Sequence, residues 1–142
     1  MNIELSNESG VEVNEADLVS VAEYALHNMG MHDDCDLAIS VVDESRMSEL
    51  HEEWMDLPGP TDVLSFPMDE MKPHDPDPGI VGDIVLCPQF AEAQAKNGLA
   101  AELALLTIHG VLHCLGYDHA EPAEEKVMFE LQESILSKWQ GR

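Results

Sequence analysis

Between Glu102 and Leu115 the chain reads Glu-Leu-Ala-Leu-Leu-Thr-Ile-His-Gly-Val-Leu-His-Cys-Leu, apolar at almost every position except the two histidines. A helix that is apolar nearly all round is stable only when other elements cover it, so this segment must be the central helix of the fold. His109 and His113 stand four apart within it and project from one face, a turn apart. Gly116 follows, the residue type that can end a helix in the left-handed conformation and turn the chain back. That reversal lets His119 return to the same point from another direction. Three neutral imidazoles converging in this way leave a fourth coordination position free, the arrangement of a catalytic rather than a structural zinc. Cys114 lies about 100° further round the helix than His113 and is expected to pack, not to ligate.

The remaining segments supply what covers this helix. Ile3 and Leu5 between polar neighbours predict a short strand. Asn14 predicts a helix N-cap, with Glu15 and Asp17 in the first turn, a buried stripe of Leu18, Val21, Ala22, Ala25 and Met29, and Gly30 at the end. Leu37, Ile39 and Val41 recur at the period of a half-buried strand. Ser45 predicts the cap of a second helix that turns Met47, Leu50 and Trp54 inward and is stopped by Pro58-Gly59-Pro60. Val63 and Leu64, bracketed by Pro60 and Pro67, predict an edge strand, where proline is tolerated. Met68 to Gly79, with Pro73, Pro76 and Pro78 among acidic residues, predicts a mobile loop in which His74 is solvated.

Gly82 to Cys87 predicts a further strand, and Pro88 the first turn of a short helix carrying Phe90, Ala91 and Ala95 and ending near Gly98. Pro122 opens a last helix with Val127, Met128, Leu131 and Ile135 as its apolar face. The expected class is α+β: a single domain over residues 1–142, with a small mixed four-stranded sheet packed with about five helices around the histidine-bearing one.

With 142 residues, 44% of them apolar, the chain can bury a substantial core. No segment approaches the ~18 uninterrupted apolar residues of a membrane span. The N-terminal Met-Asn-Ile-Glu-Leu-Ser-Asn-Glu carries no basic region followed by an apolar stretch, so no secretory signal is expected. Cys35, Cys87 and Cys114 form no CxxC pair and are odd in number, which predicts free thiols in a reducing cytoplasm. The 29 acidic residues outnumber the 6 basic ones, Arg46, Lys72, Lys96, Lys126, Lys138 and Arg142, for a net charge of −23. A surface of that sign repels nucleic acid as a whole. It suits solubility in a salty cytoplasm, or docking onto a basic partner.

A zinc ion held by three imidazoles makes hydrolysis the natural reaction class. The spacing HxxxHxxGxxH invites comparison with metzincin proteases, whose signature is HExxHxxGxxH. The glutamate that serves them as general base is replaced here by Gly110, which cannot move a proton, so peptide hydrolysis by that route is disfavoured. Asp118 is the nearest carboxylate in sequence: a candidate for proton transfer, for orienting a ligand histidine, or for a turn. Asp62 and Ser65, on the predicted edge strand, are candidates for substrate contact, the alternatives being a turn before the strand for Asp62 and an outward position for Ser65; Tyr117 is a candidate for packing or for stacking a base.

These residues resemble the YbeY family, bacterial rRNA maturation factors described as metal-dependent endoribonucleases. The resemblance rests on His109-Gly-Val-Leu-His113-Cys-Leu-Gly116-Tyr-Asp118-His119, on Pro60-Thr61-Asp62-Val63-Leu64-Ser65-Phe66-Pro67, and on Gly82-Asp83-Ile84, in the family's order, and runs from Ile3 to Leu136. It implies one zinc held by His109, His113 and His119, and cleavage of single-stranded RNA. It further implies a role in maturing the 3′ end of the small-subunit rRNA and in ribosome quality control in the cytoplasm. Many members carry an arginine six residues before the Pro-Thr-Asp threonine; the aligned residue here is Met55, which cannot clamp a phosphate. An acidic surface that docks on a basic ribosomal protein of the small subunit would bring such an enzyme to its RNA.

Overall fold

Alternating apolar residues form the strands they predict. In the computed structural model, which describes residues 1–142, β1 (Asn2–Asn7) and β2 (Asp36–Val41) pair in parallel, with Ile3 opposite Leu37 and Leu5 opposite Ile39. They are joined by α1 (Glu15–Asn28), whose N-cap Asn14 accepts from the Asp17 N–H at 3.0 Å. Next come α2 (Glu44–Met55), β3 (Val63–Pro67) and β4 (Ile80–Leu86), then α3 (Pro88–Gln94), α4 (Leu99–Cys114) and α5 (Pro122–Gln140). The strand order is β1-β2-β4-β3, with β4 parallel to β2 and antiparallel to β3. The architecture is therefore α+β, a mixed four-stranded sheet with five helices, and the proline-bracketed β3 is an edge strand.

One sheet face carries the main core. Leu37, Ile39 and Val41 of β2 and Val81, Ile84 and Leu86 of β4 meet Val21, Ala25 and Leu26 of α1 and the apolar residues of α4. As its composition requires, α4 is central: it packs on α1, α3, α5, β3 and β4. Its approach to β4 leaves little room for a side chain at Gly110. A Cβ on Gly110 would meet three side-chain atoms of the fully buried Ile84 at 3.0 Å. The opposite face is thinly covered, by a small cluster of Val42, Met47, Leu64, Val85 and Cys87. All three cysteines are free and buried. Cys114 sits beside Gly82 of β4, and burial, then the Asp83 carboxylate, pushes its thiol up to about 12. It packs, as its direction on the helix indicates.

Five local expectations are corrected. The cap of α2 is Asp43, whose Oδ1 accepts from the Arg46 N–H at 2.8 Å, so Ser45 lies already inside the helix. Trp54 does not turn inward; it is 62% exposed and meets the edge-strand Phe66 in a T-shaped contact, ring centroids 6.0 Å apart. Only Met47 of α2 is fully buried. On α5, Val127 is exposed, and the buried stripe is Met128, Gln132, Ile135, Leu136 and Trp139. The short α3 ends at Gln94, and α4 starts at Leu99, three residues earlier than the sequence pattern indicates. The segment from Met68 to Gly79 is anchored by buried Met71 and by the His74 N–H donating to Met29 O at 2.9 Å. The His74 side chain is exposed, as expected.

Candidate metal centre

The C-terminus of α4 builds the site. Gly116 has φ +97°, and its N–H donates to His113 O at 3.0 Å while the Tyr117 N–H donates to Leu112 O at 3.0 Å. These two bonds form the glycine-centred helix stop that satisfies the last carbonyls and reverses the chain. Tyr117 packs against the core just beyond the turn. The reversal brings His119 back to His109 and His113, with ring centroids 5.4 and 5.1 Å away; the two helical rings are 4.6 Å apart. One ring nitrogen from each histidine lies within 4.8 Å of the other two. The convergence expected from the spacing is present.

Surroundings set the chemistry of these rings. His109 and His113 are half-buried, His119 exposed. Burial, and next the neighbouring rings of His109 and His119, pushes His113 down to about 4. Burial likewise lowers His109, against the opposing effect of its hydrogen bond to Gln132. Both rings are therefore neutral at neutral pH, the form that offers a lone pair to a metal. His109 Nδ1 lies 2.9 Å from Oε1 of the buried Gln132 on α5. An amide oxygen only accepts, so this contact requires the proton on Nδ1 and leaves Nε2 free to ligate. An imidazole-only donor set, neutral, with one ring oriented by an outer partner, fits zinc.

The triad lines a cleft of about 560 Å³ between α4, α5 and β3. Met55, Thr61, Asp62, Ser65, Glu102, Phe129 and Gln132 also line it, and no lysine or arginine does. Asp62 and Ser65 thus share the cleft with the histidines. The Asp62 carboxylate is already engaged: Oδ1 accepts from the Val63 N–H at 2.7 Å and Oδ2 from Gln94 Nε2 at 2.6 Å, which ties α3 to the start of β3. Asp118 is exposed and accepts from the His119 N–H at 2.7 Å, the behaviour of a turn residue. Met55 is 44% exposed at the cleft wall. Arg46 lines a separate hollow on the other face of the sheet and pairs with Glu49 at 3.0 Å.

Sequence reasoning missed Glu102, Gln132 and Phe129. Glu102 stands two turns before His109 on α4; burial, then the Asp62 carboxylate, holds its carboxyl above the usual range. The signal for Gln132 was present: it interrupts the apolar stripe of α5 four residues after Met128 and four before Leu136. A polar side chain in a core position needs a partner, and here the partner is a ligand-type histidine.

Residues 2–140 match the profile of a family described as Endoribonuclease YbeY. A protein of that name from Rhodococcus erythropolis is 55% identical, over 98% of this chain and 82% of its own. Its namesake from Mycolicibacterium smegmatis is also 55% identical, over 98% of this chain and 83% of its own. The solution structure of TM1509 from Thermotoga maritima superposes with a TM-score of 0.62 at 28% identity, over 98% of this chain and 89% of that one. Fold and sequence agree over nearly the full length, and the chain belongs to the endoribonuclease YbeY family.

Proposed function

We propose that this chain is a zinc-dependent endoribonuclease of single-stranded RNA. It acts in the cytoplasm on ribosomal RNA, in maturation of the small-subunit 3′ end and in ribosome quality control. The observation that carries the reading is the convergence of His109, His113 and His119 at the floor of an open cleft. Zinc in this donor set supplies Lewis acidity and a nucleophile of hydroxide strength at neutral pH.

The chain's own residues then have separable tasks. Gln132 holds His109 in the tautomer that ligates through Nε2. Ser65 offers a hydroxyl to a phosphate oxygen from β3, and Asp62 fixes the wall that presents it. Asp118 secures the turn that delivers His119; as a proton carrier it would have to leave that turn. Gly110 excludes the glutamate that peptide hydrolysis by the metzincin route needs, because Ile84 occupies the space. The surface of net charge −23 suits docking on a basic small-subunit ribosomal protein.

Gln132 gives a graded test of the metal assignment. Gln132→Leu should weaken zinc binding by about 10–100-fold, the usual effect of removing an outer partner of a ligand histidine. Gln132→Glu keeps the acceptor and should retain affinity. Competition with a chromogenic chelator measures both.

The functional reading is tested with one RNA sequence presented in two forms. Zinc-loaded protein should cut the single strand and leave the duplex intact, because the cleft must admit individual nucleotides. Equal cutting of both forms counts against it. The absence of lysine and arginine from the cleft favours a second reading, a ribosome-assembly factor whose zinc is chiefly structural. That reading requires a large fall in melting temperature on metal removal from a protein that cuts neither form.

A further inference from the structure

The cleft has no side-chain cation to meet a phosphate, and its carboxylates, Asp62 and Glu102, repel one. Beyond the metal and the Ser65 hydroxyl at the scissile phosphate, the flanking strand must be held there by other means. Phe129 supplies a means. Aromatic residues on a helix are normally part of its buried stripe, yet Phe129 belongs to neither apolar core and is 38% exposed, while the adjacent Met128 is fully buried. Its ring stands over the histidines, with centroids 6.2 Å from His109 and 5.9 Å from His119, tilted by 52° and 38°. Met55, Leu105 and Leu106 add apolar surface to the same cleft.

We propose that Phe129 is the stacking platform for an unpaired nucleobase beside the scissile phosphate, and that this site gains its grip on RNA from base stacking in place of phosphate ion pairs. The inference rests on the ribonuclease reading and deepens it. Every base presents a π-face, so stacking tolerates sequence but requires an unpaired strand. A base buried in a duplex cannot reach the ring, which ties strand selectivity to Phe129. Phosphate-neutralising proteins lose affinity steeply with salt, roughly in proportion to the number of cations engaged. A cleft that stacks instead should show a shallow dependence.

The test uses the zinc-loaded full chain and a single-stranded RNA oligonucleotide, with copies carrying one abasic nucleotide at each position flanking the cut. Phe129→Ala and Phe129→Leu should lower kcat/KM by about five- to a hundred-fold, mostly through KM, as loss of one stacked base implies. Phe129→Tyr, which keeps the ring, should recover most of it. On the one abasic substrate that removes the stacked base, wild type and Phe129→Ala should become equal. Zinc content should be the same in all four proteins.

A Phe129→Leu protein that matches wild type overturns the proposal, since any apolar wall would then serve. So does a Phe129→Ala defect that persists on every abasic substrate or that tracks zinc loss. A steep salt dependence of kcat/KM, equally strong in wild type and Phe129→Ala, also overturns it. Wild type that cuts no RNA under these conditions overturns the ribonuclease reading itself; wild type that cuts normally with unchanged Phe129→Ala kinetics overturns only the stacking role.

Discussion

Replacing His113 by alanine is expected to eliminate stoichiometric zinc binding and RNA cleavage together while leaving the metal-free fold standing. His113 is half-buried, so truncation opens space at the cleft and leaves the core intact. The loss of a direct ligand should exceed the ~10–100-fold that outer-partner changes cost in metal affinity. Melting curves separate the two consequences. At zinc about a thousand times its Kd, binding stabilises the native state by about 4 kcal/mol. For a chain of this size that raises Tm by roughly 8–16 °C. Wild type should show that gap with and without zinc; His113→Ala should melt at one temperature in both conditions. A variant that still binds zinc at full affinity removes His113 from the ligand set.

The second large effect is structural. Gly110→Glu, which writes the protease motif into the chain, is expected to lower the melting temperature severely and to confer no peptidase activity. The first added atom already meets Ile84 at 3.0 Å, and Ile84 is fully buried on the inner strand β4. Overpacking of this kind costs typically 1–3 kcal/mol, and an unpaired buried carboxylate adds several more. Against a total stability of about 5–15 kcal/mol, the sum removes a large share. Gly110→Ala serves as the graded control. Its helix-propensity gain of about 1 kcal/mol offsets part of the clash, so a modest loss of Tm is expected. A Gly110→Glu protein that melts as wild type does and hydrolyses peptides would show that packing does not bar the metzincin route.

The strong patterns were legible before the fold was seen. The all-apolar α4, the Asn14 cap, the alternation in β2 and the proline-bracketed β3 each follow from one dominant force. The three histidines were legible because helical spacing and a helix-stopping glycine together fix where the side chains go. Trp54 was misread because helical spacing says which side chains share a face, not whether anything covers it. The turn that carries Trp54 passes the edge strand, where Phe66 meets it edge-on and leaves most of the ring uncovered. Val127 failed similarly: on α5 the core is met by Met128 and Gln132. Phe129 and Glu102 escaped notice because each joins the cleft beside neighbours distant in sequence, His109 and His119 for one and Asp62 for the other. The structure also changes the meaning of Gly110. In the sequence it is a missing base; in the fold it is the contact that lets α4 lie against β4.

The central claim is that His109, His113 and His119 hold one zinc on which RNA cleavage depends. Elemental analysis of the purified chain, paired with single-strand cleavage as chelator is added and zinc restored, tests it most directly. The account predicts one zinc per chain, cleavage that falls in proportion to the metal removed, and recovery when zinc is returned. Full cleavage by protein stripped of all metal contradicts it.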